Sequence, residues 1–377
     1  MISEKKAALV IFLGTSTLVL LLAIHTCLGS EGFLQAVEPR GFTFPKDHGD
    51  HPGFQTEWWY YTGNVAGADK RPFGFQLTFF RVQLQAVPVE ASSKWRTNQL
   101  YFAHLTISDM EAETFLVAEK AGRGAGGIGG VSQEKGRVRV FLHGWETAIL
   151  GQSHHLKAAS DQFGVDLTLV SEKPPIFHGE RGLSRKGARQ GQASYYYSLT
   201  RMGTKGTLQV DGKDVEVSGW SWMDHEFSSN VLSEDQVGWD WMGLQLSDGQ
   251  ELMVYVLRHW DGAFDPFSSG TLVQKDGTSV HLPKETFAIR PTDYWESPRT
   301  EARYPSAWQV EVLPHDISLR VVPNLRDQEL MTEESTQVTY WEGSAGVTGY
   351  VSGQAVTGSG YVELTGYAGD FKGALLW

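Results

Sequence analysis

Apolar and polar side chains alternate with a period of two along most of this chain, in runs too short for helices. Between Gln99 and Ser108, Tyr101, Ala103, Leu105 and Ile107 fall on one face and His104, Thr106 and Ser108 on the other. From Ala193 to Thr200, Ala193, Tyr195, Tyr197 and Leu199 oppose Ser194, Tyr196, Ser198 and Thr200. Successive side chains of a strand point to opposite faces, so each run predicts a strand with one buried face. Similar runs predict strands at Gly74 to Arg81, Arg137 to Leu142, Val165 to Val170, Val237 to Leu246 and Glu251 to Leu257. Others follow at Trp308 to Leu313, Ile317 to Val322, Gln337 to Trp341, Val347 to Val351 and Gly360 to Tyr367. Asp211-Gly212, Asp248-Gly249 and Asp276-Gly277 sit between such runs as hairpin turns. Nothing sustains the helical period over three or four turns, so the fold class is all-β, as sandwiches or up-and-down barrels.

With 377 residues, 41% of them hydrophobic, the chain can bury more than one core. The expected division is 1-30 as an export segment, 40-230 as one domain and 235-377 as a second, with the boundary near Asn230 to Glu234. Lys5 and Lys6 precede a run from Ala7 to Ile24 that is apolar apart from Thr15, Ser16 and Thr17. It predicts an exported protein, periplasmic or anchored at the outer face of the inner membrane, with the segment either a cleaved signal peptide or a retained anchor. Cys27 is the single cysteine, so disulfides do not hold the fold; it is either a lipid acceptor or part of a discarded signal. A net charge of -12 argues against a nucleic-acid partner. The glycine-rich stretch Gly122 to Gly130 lacks the G-K-[ST] of a phosphate loop and reads as a surface loop.

Three segments carry candidate chemistry. In Glu57-Trp58-Trp59-Tyr60-Tyr61, alternation puts Glu57, Trp59 and Tyr61 on one face and Trp58 and Tyr60 on the other. Both faces are aromatic, so Glu57 either pairs with an arginine such as Arg81 or faces a ligand. In Trp222-Met223-Asp224-His225-Glu226, the two acids share a face away from His225. They suit an acid/base couple, or else they fix the interdomain junction. In Trp239-Asp240-Trp241-Met242, Asp240 shares its face with Met242, Leu244 and Leu246. Desolvation raises such an acid's pKa, as a proton donor needs, although a satisfied core residue has the same pattern. Asp47-His48-Gly49-Asp50-His51 and His154-His155 have neither helical His spacing nor a cysteine framework, so they read as solvated loops and no metal is expected. No Gly-x-Ser-x-Gly elbow is present, and Ser228-Ser229 near His225 is a weak triad.

The run Phe44-Pro45-Lys46-Asp47-His48-Gly49-Asp50-His51-Pro52 followed by Glu57-Trp58-Trp59-Tyr60-Tyr61-Thr62-Gly63 resembles the opening of AttH-like proteins and of the CrtC carotenoid hydratases (hydroxyneurosporene synthases). Phe75 to Arg81, Trp222 to Glu226, Trp239-Asp240-Trp241 and Gly360 to Tyr367 extend the likeness over most of the chain. The resemblance implies two lipocalin-like antiparallel β-barrels and an apolar lipid or isoprenoid ligand in a barrel cavity. It also implies cofactor-free, acid-catalysed hydration of a double bond, a lyase activity, with aromatic faces steadying the carbocation. The catalytic candidates are then Asp240, Asp224, Glu226 and Glu57. The ligand-binding candidates are Trp58, Trp59, Tyr60, Trp222, Trp239 and Trp241. The alternative is a non-catalytic lipid-binding protein serving an ABC transporter permease.

Overall fold

A computed structural model describes residues 32-87, 93, 95-229 and 232-369; the segment 1-30 expected to direct export, with Cys27, lies outside them. Strands dominate, and the only helical elements among the described residues are three 3-10 turns. Two antiparallel sheets follow one another along the chain, a 13-stranded one from Thr56 to Ser228 and a 10-stranded one from Gln236 to Leu364. Both curl in the manner of lipocalin-like barrels. In the first, strand Thr56–Gly67 lies between Pro72–Gln83 and Lys213–Ser228, which continues to Ala193–Val210. In the second, Gln236–Leu246 lies between Glu251–His259 and Gln354–Leu364, which pairs with Thr339–Val351.

Alternation decides which side chains fill each barrel. Trp59, Tyr61, Phe75, Leu77 and Phe79 point into the first, beside Leu105, Leu167 and Met223. Met242, Leu244, Val254, Trp308, Leu319 and Val362 fill the second. The intervening positions turn outward, where Tyr60, Tyr196, Trp222, Trp241, Tyr255 and Tyr361 meet in a third cluster between the sheets. Removing these rings from water, at ~25 cal/mol per Å² of apolar surface, drives the two sheets together. Polar ties fix their register: Gln245 Nε2 donates to Thr200 O at 2.7 Å, and Glu251 takes ion pairs from Lys173 at 2.7 Å and Arg201 at 2.5 Å. Gly74 permits the close approach, because a Cβ there would lie 2.7 Å from Ser344 Cβ and 2.8 Å from Tyr361 Oη.

Three local expectations change. Gln337–Trp341 and Val347–Val351 are not two strands; one strand, Thr339–Val351, runs through Gly343, Gly346 and Gly349. Those glycines interrupt the apolar alternation without breaking the ladder. Within the glycine-rich stretch, Gly122 lies inside strand Thr114–Arg123 and Gly129 begins Gly129–Glu134, leaving only 124-128 as loop. Asp47 and His48 are buried rather than solvated, as is His154, while His155 is half-buried. The segment Phe42 to His51 folds over one end of the first barrel, its rings packing on Phe177 and Tyr197.

Candidate active site between the two sheets

A cavity of about 490 Å³ opens between the outward faces of the two sheets, not inside a barrel. Trp58, Tyr60, Tyr196, Asp224 and Glu226 line it from the first sheet, and Trp239, Trp241, Glu342 and Glu363 from the second. The reason is in the register: Trp58 faces Glu226 and Tyr60 faces Asp224 across one ladder, while Glu342 and Glu363 are opposite each other in the next. Directly opposed residues share a face, so four carboxyl groups converge on one aromatic chamber.

Their surroundings differ. Burial pushes Glu342 well above the ordinary carboxylate range, and the neighbouring charge of Glu363 adds to that. Tyr60 donates to Glu342 Oε1 at 2.5 Å, but the buried Oε2 has no partner among the described residues. Glu363 is raised to about 7 by burial, against a 3.0 Å hydrogen bond from Trp239 Nε1. It is partly open to the cavity. Asp224 is also raised to about 7 by burial, against hydrogen bonds from Ser198, from Tyr196 at 2.7 Å and from Trp222 Nε1 at 2.6 Å. Both its oxygens are thus occupied. Trp241 Nε1 donates to Tyr196 Oη at 3.0 Å, so Asp224 anchors the aromatic wall through Tyr196. Glu226 has Lys186 at 3.4 Å, whose ammonium lies 4.0 Å from the Tyr255 ring centroid. His104, also in the lining, is driven down to about 3 by burial and is neutral, bonded to Tyr340 at 2.7 Å and Ser335 at 2.9 Å.

The predicted site residues separate along this geometry. Trp58, Tyr60, Trp239, Trp241, Asp224 and Glu226 come together at the cavity. Trp222 packs behind them against Trp241, with ring centroids 6.0 Å apart. Trp59 points the other way, into the first barrel, and donates to His48 O. Glu57 reaches the cavity wall, but its side chain is fully buried and committed elsewhere. Arg81 Nε contacts one oxygen at 2.9 Å; His51 and His225 share the other at 2.7 and 2.8 Å. Although burial alone would raise it, Arg81 and the histidines hold the Glu57 carboxyl well below its ordinary range. Asp240 is not brought to the cavity. It faces the interior of the second barrel, where Arg258 pairs with it at 2.8 Å and Tyr367 donates to both oxygens at 3.1 Å. Burial still raises its pKa against those partners, so the expected shift is present without access to a ligand.

Sequence reasoning missed Glu342, Glu363, Lys186 and His104. Tyr340-Trp341-Glu342 carries the same mixture of acid and rings as Trp239-Asp240-Trp241, and that pattern was the available signal. Lys186 gave none, because it stands in an irregular segment between Leu183–Arg185 and Ala193–Val210. His51, Glu57 and His225 offer three grouped metal-ligand atoms. Their separations of 2.7 and 2.8 Å are those of hydrogen bonds through Glu57 Oε1, with Arg81 supplying positive charge beside them, so the geometry is that of proton sharing.

The fold has counterparts. The crystal structure of an AttH protein from Nitrosomonas europaea is 32% identical and covers 89% of this chain and 100% of that one, with a TM-score of 0.78. Kievitone hydratase from Nectria haematococca shares the fold at 15% identity, covering 90% of this chain and 98% of that one, with a TM-score of 0.67. In sequence, the dehydratase asqC of Emericella nidulans is 24% identical over 210 residues, which are 53% of this chain and 57% of that protein. The chain thus spans little more than half of that relative's length. Residues 35-367 match the AttH-like family. That match begins ahead of the first sheet and ends beyond Glu363, taking in both walls of the cavity, and the chain belongs to the AttH-like family.

Proposed function

We propose that the interdomain cavity adds water to, or removes it from, a carbon–carbon double bond of an apolar, isoprenoid-type molecule by carboxylic-acid catalysis, as a cofactor-independent hydratase. The observation that carries this is Glu342: a buried carboxyl whose pKa is raised and whose Oε2 has no partner among the described residues, in a chamber walled by Trp58, Tyr60 and Trp239. Protonated at neutral pH, it delivers its proton to one alkene carbon and forms a C–H bond. The adjacent carbon becomes cationic and lies against the aromatic rings, whose quadrupoles stabilise it. Water adds to that carbon and its surplus proton passes to the Glu363 carboxylate, directly across the ladder. Proton exchange between the two acids restores the starting state; the reverse order removes water. Two relatives named as a hydratase and a dehydratase support this reading of the chemistry.

The roles differ from those suggested by the sequence pattern. Asp224, with both oxygens occupied, is a positioning residue for Tyr196 and Trp241. Asp240 serves the core of the second barrel. The test is incubation of purified protein with acyclic carotenoids and other isoprenoids, reading gain of one water by mass spectrometry. Product from the wild type and its loss in Glu342→Gln are expected; undiminished product from that variant would remove Glu342 as the donor.

A further inference from the structure

The cavity has a mouth, and the described chain enters the fold beside it. Leu34 N donates to Gly53 O at 2.8 Å, and Ser229 Oγ donates to Leu34 O at 2.6 Å while accepting from Gln55 N at 3.1 Å. Ser229 and Gln55 are both part of the cavity lining. Gly32 lies against Ala86, where an added Cβ would be 3.2 Å from Ala86 Cβ. Residues 32-34 and 84-87 therefore form one rim at the end of the first sheet where Thr56 pairs with Val82 and Ser228. Apolar side chains of this rim face outward: Leu34 is 56% exposed, Leu84 41% and Val87 73%. From the second sheet, Trp260 joins the same end at 79% exposure, its N–H bonded to Asp235 O just after the cavity residues Leu232, Ser233 and Glu234. Arg189, exposed in the lining, adds a cation suited to a phosphate.

The apolar run Ala7 to Ile24 stops only seven residues before Gly32. Fully extended, such a connection reaches at most about 25 Å. We infer that this rim is a membrane-facing surface: the bilayer that takes the 7-24 run lies against Leu34, Leu84, Val87 and Trp260, and the cavity receives its apolar ligand from the lipid phase. Single apolar residues on a surface are ordinary, but these surround one opening, include a tryptophan, which favours the lipid–water interface, and sit at the point of tethering. Delivery from lipid avoids passing an insoluble molecule through water. The inference holds whether or not the cavity turns its ligand over.

The test uses the full chain in vesicles of phosphatidylcholine and phosphatidylglycerol. With Cys27→Ser as background, single cysteines at Leu34→Cys, Val87→Cys and Leu313→Cys carry an environment-sensitive fluorophore. Leu313 is 73% exposed but lies in the turn after strand Arg303–Val312, at the strand ends remote from the mouth. The labels at 34 and 87 are expected to shift to the blue on vesicle addition and to be quenched by brominated lipid, with the label at 313 unchanged. A chain that binds vesicles while labels 34 and 87 behave like 313 would overturn the inference, as would a chain that stays in solution. Blue shifts without vesicles, together with a doubled mass by light scattering, would assign the rim to a second copy and also overturn it.

Discussion

Two places in this molecule bury carboxyl groups among aromatic rings, and they treat the charge in opposite ways. At the end of the first barrel, Glu57 receives Arg81, His51 and His225 and is held as an anion. In the cavity, Glu342 has one hydrogen bond from Tyr60 and a second oxygen with no partner among the described residues, and burial pushes its pKa well up. Both are fully buried. Burial alone therefore does not mark a working acid; withheld compensation does. A protein gains nothing in stability from a buried, unpaired carboxyl, so its presence beside an opening points to chemistry.

The largest expected difference lies in what each glutamate's removal costs. Glu342→Gln keeps the shape and the acceptor for Tyr60 but cannot give a proton, so turnover should fall by about 10²- to 10⁴-fold with folding preserved. Steady-state rates and thermal melts together check this. Next is the partner of the other acid. Arg81→Met strands the Glu57 charge and should destabilise by roughly 3 to 5 kcal/mol in denaturant titration. A change below about 1 kcal/mol would mean that His51 and His225 suffice without Arg81.

pH separates the two regions by sign. Glu363 is raised to about 7, so its contribution to stability is complete below the unfolded carboxylate value and is lost as pH rises through about 7. Glu57 is depressed, so its contribution is present above the unfolded value and lost as pH falls through the lower folded one. Glu363→Gln should thus flatten the alkaline side of a stability profile, most visibly between pH values of about 5 and 8, leaving the acid side unchanged. Activity should rise as Glu363 deprotonates near 7 and fall at higher pH as Glu342 loses its proton. The smallest effect is at Asp240. Asp240→Asn loosens the Arg258 contact behind the cavity, so it should lower stability by about 1 to 3 kcal/mol and leave turnover nearly unchanged.

Much of the fold was legible because strand alternation is a local property. The faces assigned to Trp58 and Tyr60, to Asp224 and Glu226, and to Trp239 and Trp241 are those that meet in the cavity. What alternation cannot say is which face of a barrel strand meets ligand. Asp240 and Glu342 look alike in sequence, each an acid beside tryptophan. One turns into a packed barrel beside Arg258, and the other turns out toward the first sheet, where it meets Tyr60. That distinction depends on ladder register and on how two sheets dock, both set by contacts hundreds of residues apart, such as Tyr60 with Glu342. The buried Asp47-His48 segment was misread for a related reason: Tyr197, which bonds both His48 Nδ1 and Asp47 O, comes from a distant strand.

The central claim is that Glu342 carries a proton at neutral pH inside a folded, ring-lined cavity. Infrared difference spectra between wild type and Glu342→Gln at pH 7 read this directly. A protonated-carboxyl C=O band present in the wild type and missing in the variant is the predicted result; a difference showing only carboxylate bands would contradict the account.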